Sequence, residues 1–109
     1  NDSYVSLKEI LSTKLLLESQ NIQYMFTYVN QHVMIGLLED NIDNKYIQGY
    51  RSLLNVDWFN FPGSFQKYIG FDDWAKNNNY EYATSHPLKP AHTHASELIY
   101  NHLVKNILL

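Results

Sequence analysis

The sequence predicts a three-layer α/β/α domain built on a short parallel sheet, and two observations carry that prediction. The first is the run Ile22–Val29, "IQYMFTYV", which is rich in β-branched and aromatic residues and apolar on both faces apart from Gln23 and Thr27. A strand apolar on both faces is what a parallel sheet covered by helices requires. The second is the order of segments: a helix-periodic stretch leads through a tight turn into that strand, which is half of a βαβ unit. At 109 residues the chain has room for one domain and one core, so residues 1–109 are read as a single unit.

The first helix is expected over Leu7–Ser19. Ser6 and Glu9 form a capping box ahead of it, and Leu7, Ile10, Leu11, Leu15 and Leu17 recur at helical spacing, with Leu16 widening the stripe. Asn21 is its stop, because asparagine tolerates the left-handed conformation that ends helices. Ile22–Val29 is the central strand. Asn30–Asp40 reads equally as strand or helix. Asp43–Leu54 is a helix capped by Asp43 and weakened by Gly49. Val56–Phe61, "VDWFNF", alternates as a strand does, and Pro62-Gly63 turns the chain. Phe71–Lys76 is a short helix with Asp72 and Asp73 in its first turn, where carboxylates favour the positive end of the helix dipole; Asn77-Asn78-Asn79 stops it. The last helix is expected over Pro90–Leu108, burying Ala95, Leu98, Ile99, Leu103 and Ile107.

Composition removes several functions. The net charge is −3 and the eight Lys and Arg are scattered, so no basic stripe is available for phosphates and nucleic acid is not an expected partner. With no cysteine, thiolate catalysis, disulfides and Cys-bound zinc are excluded. No apolar run approaches the roughly 20 residues that cross a bilayer, and no basic-then-apolar leader opens the sequence. No membrane partner is expected, and a cytoplasmic location is the default.

Three of the five histidines fall in "SHPLKPAHTH", residues 85–94, directly before the last helix. Together with "VDWFNF" and "GFDDWAKNNNY" upstream, this stretch resembles the C-terminal half of SGNH/GDSL-type hydrolases, in particular the divergent ones of phage and sugar-modifying enzymes. His86-Pro87 and His92 match the family's loop spacing, and the likeness extends over most of the chain. The resemblance implies a flavodoxin-like sheet, a serine-esterase function on acyl or carbohydrate esters, and no cofactor. Within it His86 is the catalytic base, His92, Pro87 and Glu81 support the loop, and Asn1 is an oxyanion-hole donor. A hydroxyl attacks well only when a base removes its proton and an oxyanion hole holds the intermediate. The chain departs from the pattern in two ways: Ala83 stands where the Asp orienting the base belongs, and the block bearing the nucleophile is absent. The resemblance therefore implies a partial domain, inactive as this isolated chain.

Two other readings stand beside that one. His86, His92 and His94, with Glu97, are the residues from which a metal site would be drawn. On a helix, however, residues two apart diverge by about 200°, so no metal is expected. A chain with an unpaired buried-type strand would also expose sheet edge and apolar face. That makes a non-catalytic assembly module the alternative, either a homo-oligomer or the partner of a missing N-terminal half. His102 is expected at the edge of the core, and His32 has no motif around it.

Overall fold

The computed structural model describes residues 2–39, 48–49, 51 and 57–108. The chain divides into two compact units, one of Asn1–Phe26 and His32–Trp58, the other of Thr27–Gln31 and Phe59–Leu109.

In the first unit α1 (Asp2–Ser19) starts earlier than the capping box suggests, which places Ser6 inside the helix rather than at its cap. Its stop is the expected one. Asn21 adopts φ 56°, the Ile22 N–H donates to Leu17 O at 2.9 Å and the Asn21 N–H to Glu18 O at 3.1 Å. This pair of bonds is a Schellman motif, which satisfies carbonyls that the helix leaves open. Only the first half of the leucine stripe is covered. Leu7 and Leu11 are buried with Met34 of α2 (Gln31–Met34) and Leu37 of the π-helical turn that continues it (Ile35–Glu39), whereas Leu15 is 54% and Leu16 61% exposed. The Arg51 guanidinium closes that turn, with Nε 2.5 Å from Leu37 O and Nη2 3.4 Å from Gly36 O. A cation there meets the negative end of the helix dipole. The helix expected over Asp43–Leu54 lies mostly outside the described residues, although Gln48, Gly49 and Arg51 within it are helical.

The three-layer α/β/α prediction is overturned. The described chain is mostly helical, and its sheet is one two-stranded antiparallel pairing. Ile22–Val29 is extended but is no central parallel strand. Its ladder contact is a single parallel bridge, Phe26 to Trp58, supported by ring packing at 5.6 Å. Ile22 is 51% and Val29 59% exposed, so the run is not covered on both faces.

The second unit supplies the physical reason. There α3 (Phe71–Asn77) begins against the end of that run: the Phe71 N–H donates to Tyr28 O at 3.1 Å and the Asp72 N–H to Val29 O at 2.7 Å. A helix leaves its first N–H groups without intrahelical partners, and here the extended segment provides the acceptors. Carbonyls committed to a helix end are lost to a strand ladder. Asp73 completes the cap by accepting the Gly70 N–H at 2.9 Å. Gly70 is needed at this crossing, since a Cβ on it would lie 2.5 Å from the carbonyl carbon and oxygen of Val29.

Asn79 at φ 59° ends α3. The Tyr80 N–H donates to Ala75 O at 3.0 Å and the Asn79 N–H to Lys76 O at 3.1 Å, a second Schellman motif, with the Tyr80 ring laid 5.1 Å from that of Trp74. The hairpin β1 (Tyr82–Ala83) and β2 (His86–Pro87) follows, turning through Thr84 at φ 57°. Then α4 (Lys89–Leu103) runs on as a π-helical turn (Val104–Leu108), with Pro90 in its first turn and Ala91 and Ala95 buried. The expected alternation of "VDWFNF" holds over Phe59–Phe61, where exposed Asn60 separates two buried rings, but not at Asp57, which shares their parity and is exposed. Yet among its described residues the segment makes one ladder contact, the Phe26–Trp58 bridge. The Phe61 N–H goes to Ile69 O at 2.9 Å, and Phe59 O accepts the Thr27 hydroxyl at 3.1 Å.

Candidate functional site

The histidine loop becomes a hairpin and a helix start. His86 pairs with Ala83 across the two strands and is exposed, as are Ala83 and Glu81. The Glu81 carbonyl accepts the Leu88 N–H at 3.0 Å, closing the base of the hairpin. Asn1 lies outside the described residues. Among the described residues no three His, Asp or Glu side chains gather as a metal site would require, so His86, His92, His94 and Glu97 form no ligand cluster.

Imidazoles of α4 instead pack on aromatic rings. His92 lies 5.0 Å from Phe71, His94 5.1 Å from Trp74, and His102 4.9 Å from Phe59. These rings belong to one chain of contacts: Phe59 to Phe61 at 5.0 Å, Phe61 to Trp74 at 5.2 Å, and Phe71 to Trp74 at 6.1 Å. Such separations are those of favourable tilted and edge-to-face pairs. His94 Nδ1 and the Tyr80 hydroxyl share a hydrogen bond, and His92 Nε2 is 3.2 Å from Pro87 O.

A polar cluster ties the hairpin to α3. The Tyr82 hydroxyl donates to Asp72 Oδ1 at 2.7 Å, and Lys76 Nζ lies 3.0 Å from Asp72 Oδ2. Partial burial opposes the ionisation of Asp72, but these two donors and the nearby His86 outweigh it and hold the carboxyl below its ordinary range. Partial burial raises the Tyr82 phenol, and donation to a carboxylate raises it further.

One concave feature of the second unit combines apolar walls with polar atoms: a groove of about 330 Å³. The extended segment contributes Thr27, Tyr28 and Val29, the aromatic chain contributes Phe61 and Phe71, and α4 contributes His92, Ala95, Ser96 and Ile99. The α4 residues stand at i, i+3, i+4 and i+7, hence on one face. Ala95 and Ser96 are the small members of that face and leave the space open. Of the residues singled out from the sequence as candidate site members, the groove includes His92 alone. Small residues beside a histidine on an apolar helical face were the available signal for the rest. The Thr27–Val29 wall had no local signal, because its place depends on capping a helix far along the chain.

No protein-family model, curated protein or solved structure matches this chain. The functional reading therefore rests on the geometry of the groove.

Proposed function

We propose that this chain is a non-catalytic binding module whose groove between Thr27–Val29 and α4 receives a small, largely apolar molecule. The observation that carries the reading is the groove itself. Its volume of about 330 Å³ falls at the lower end of ligand sites, which are mainly apolar with a few placed polar groups. The test is fluorescence enhancement of N-phenyl-1-naphthylamine, a neutral apolar probe. Enhancement by the native chain, lost on Ser96→Phe, is the expected result; Ser96 is exposed, so the substitution fills the groove and leaves the core alone. No enhancement, or enhancement indifferent to Ser96→Phe, overturns the reading. Hydrolysis of a p-nitrophenyl ester that disappears in His86→Ala would restore the esterase reading in its place.

The uncovered end of α1 favours a second reading, self-association. Leu15, Leu16 and Ile22 are each more than half exposed, and burying apolar area stabilises a contact by about 25 cal/mol per Å² before association costs. Sedimentation at micromolar concentration checks it. A single 12.8 kDa species, unchanged by Leu16→Glu, removes this reading.

A further inference from the structure

The hydrogen bonds around the groove assign the chemistry of its ligand, an inference that rests on the binding reading above. Four of its side chains carry polar groups able to donate as well as accept, and each has its proton already placed within the protein; the Tyr28 hydroxyl donates to Asn60 Oδ1. The Thr27 hydroxyl donates to Phe59 O at 3.1 Å and the Ser96 hydroxyl to His92 O at 2.8 Å. His92 Nε2 faces Pro87 O at 3.2 Å. A carbonyl oxygen only accepts, so the imidazole proton is assigned to Nε2 and the neutral ring keeps a lone pair on Nδ1. What Thr27, Ser96 and His92 retain for a ligand is acceptor capacity, at Thr27 Oγ1, Ser96 Oγ and His92 Nδ1.

No Lys, Arg, Asp or Glu lines the groove. A carboxylate or phosphate would meet lone pairs on those three side chains, and an ammonium would lose its hydration without a counter-charge; both are costly in a mostly apolar site. The remaining surface suits a flat ring. Phe61 and Phe71 lie 5.8 Å apart at 49° and His92 lies 5.0 Å from Phe71, so ring faces and edges border the space. We propose that the groove selects a small neutral aromatic molecule bearing an O–H or N–H donor, of the phenol or indole class.

The experiment is a nitrogen-15 chemical-shift titration of the full chain with phenol and, separately, with anisole, in which a methyl ether replaces the donor. Phenol should bind more tightly than anisole. In Ser96→Ala and in His92→Phe, each of which removes one acceptor while keeping an apolar surface, the anisole-to-phenol Kd ratio should fall by about 2- to 10-fold, the range of one ordinary hydrogen bond. Anisole binding should persist in Ser96→Ala, which shows that the groove survives. Equal affinity for the two probes, or a ratio unmoved by both variants, overturns the donor assignment and leaves the binding reading standing. Failure of both probes to shift groove resonances at millimolar concentration overturns the binding reading itself.

Discussion

Gly70→Ala tests the junction on which the second unit depends. Gly70 has φ −84°, a conformation alanine adopts freely, so backbone strain is not the issue. The obstacle is contact. The added methyl would lie 2.5 Å from Val29 C and O and 2.6 Å from Asn30 N, all backbone atoms that cannot swing aside as a side chain does. Relief means moving the Tyr28–Asn30 stretch of chain away from α3, and that lengthens the Phe71-to-Tyr28 and Asp72-to-Val29 bonds. Two such bonds contribute about 0.5–1.5 kcal/mol each, and residual overpacking adds about 1–3 kcal/mol. The expected loss is therefore about 2–6 kcal/mol, a large part of a typical domain stability of about 5–15 kcal/mol. Urea denaturation followed by Trp74 fluorescence in a Trp58→Phe background reads the second unit. Gly49→Ala, in the first unit and read by far-UV circular dichroism, is the control of opposite sign: Gly49 is helical, and a methyl group added there would meet nothing within 4 Å, so alanine should add about 0.5–1 kcal/mol. A Gly70→Ala midpoint matching that of the parent chain would refute the argument that this crossing needs a hydrogen at Cα.

Three further outcomes are expected. Because Asp72 titrates below its ordinary 3.8 in the folded chain, it stabilises the fold above about pH 4 and loses that effect as pH falls through the folded value; Tyr82→Phe should move its carboxyl titration upward, read by carbon-13 NMR, and an unmoved titration would discount the Tyr82 bond. Asn79→Gly should raise stability by about 0.5 kcal/mol and Asn79→Ala lower it by about 1 kcal/mol, because the Schellman position at φ 59° penalises a Cβ; equal midpoints in thermal melts would contradict this. Thr84→Gly should stabilise the hairpin by about 0.5–1 kcal/mol, since a β-branched residue at φ 57° is strained, and a lower melting temperature would count against it.

What is legible in the sequence is local. Asn21 and Asn79 mark helix ends because the left-handed turn is a property of the residue and its nearest neighbours, and both occupy positive φ. The last helix follows from its own apolar spacing and from Pro90 in its first turn. Ile22–Val29 departs from expectation because its composition fits a strand, while its outcome is decided by what its carbonyls meet. Tyr28 and Val29 face the opening N–H groups of α3, and no periodicity within eight residues records that. The histidines show the same division. Their clustering before the last helix is visible, but the partners of His92, His94 and His102 are Phe71, Trp74 and Phe59. Only the fold sets those pairings. His92 borders the groove as a residue the sequence already marks, whereas Thr27 reaches it from a segment that reads as buried sheet.

The cap on α3 also governs when that helix can form. Seven residues are too few for an isolated helix in water, where lengths below about 12–15 are marginal. Its first donors find Tyr28 and Val29 only after the intervening chain, roughly 40 residues, has been brought round, at an entropic cost of about 3 kcal/mol by the logarithmic loop law. Helix α1, by contrast, has its stop within its own segment. The order of events follows: α1 is free to nucleate early from neighbours in sequence, whereas α3 waits for a long-range closure and becomes protected from hydrogen exchange together with the wall of the groove. A ligand held in that groove would bear on the closure itself, slowing the reopening of α3 in proportion to its occupancy.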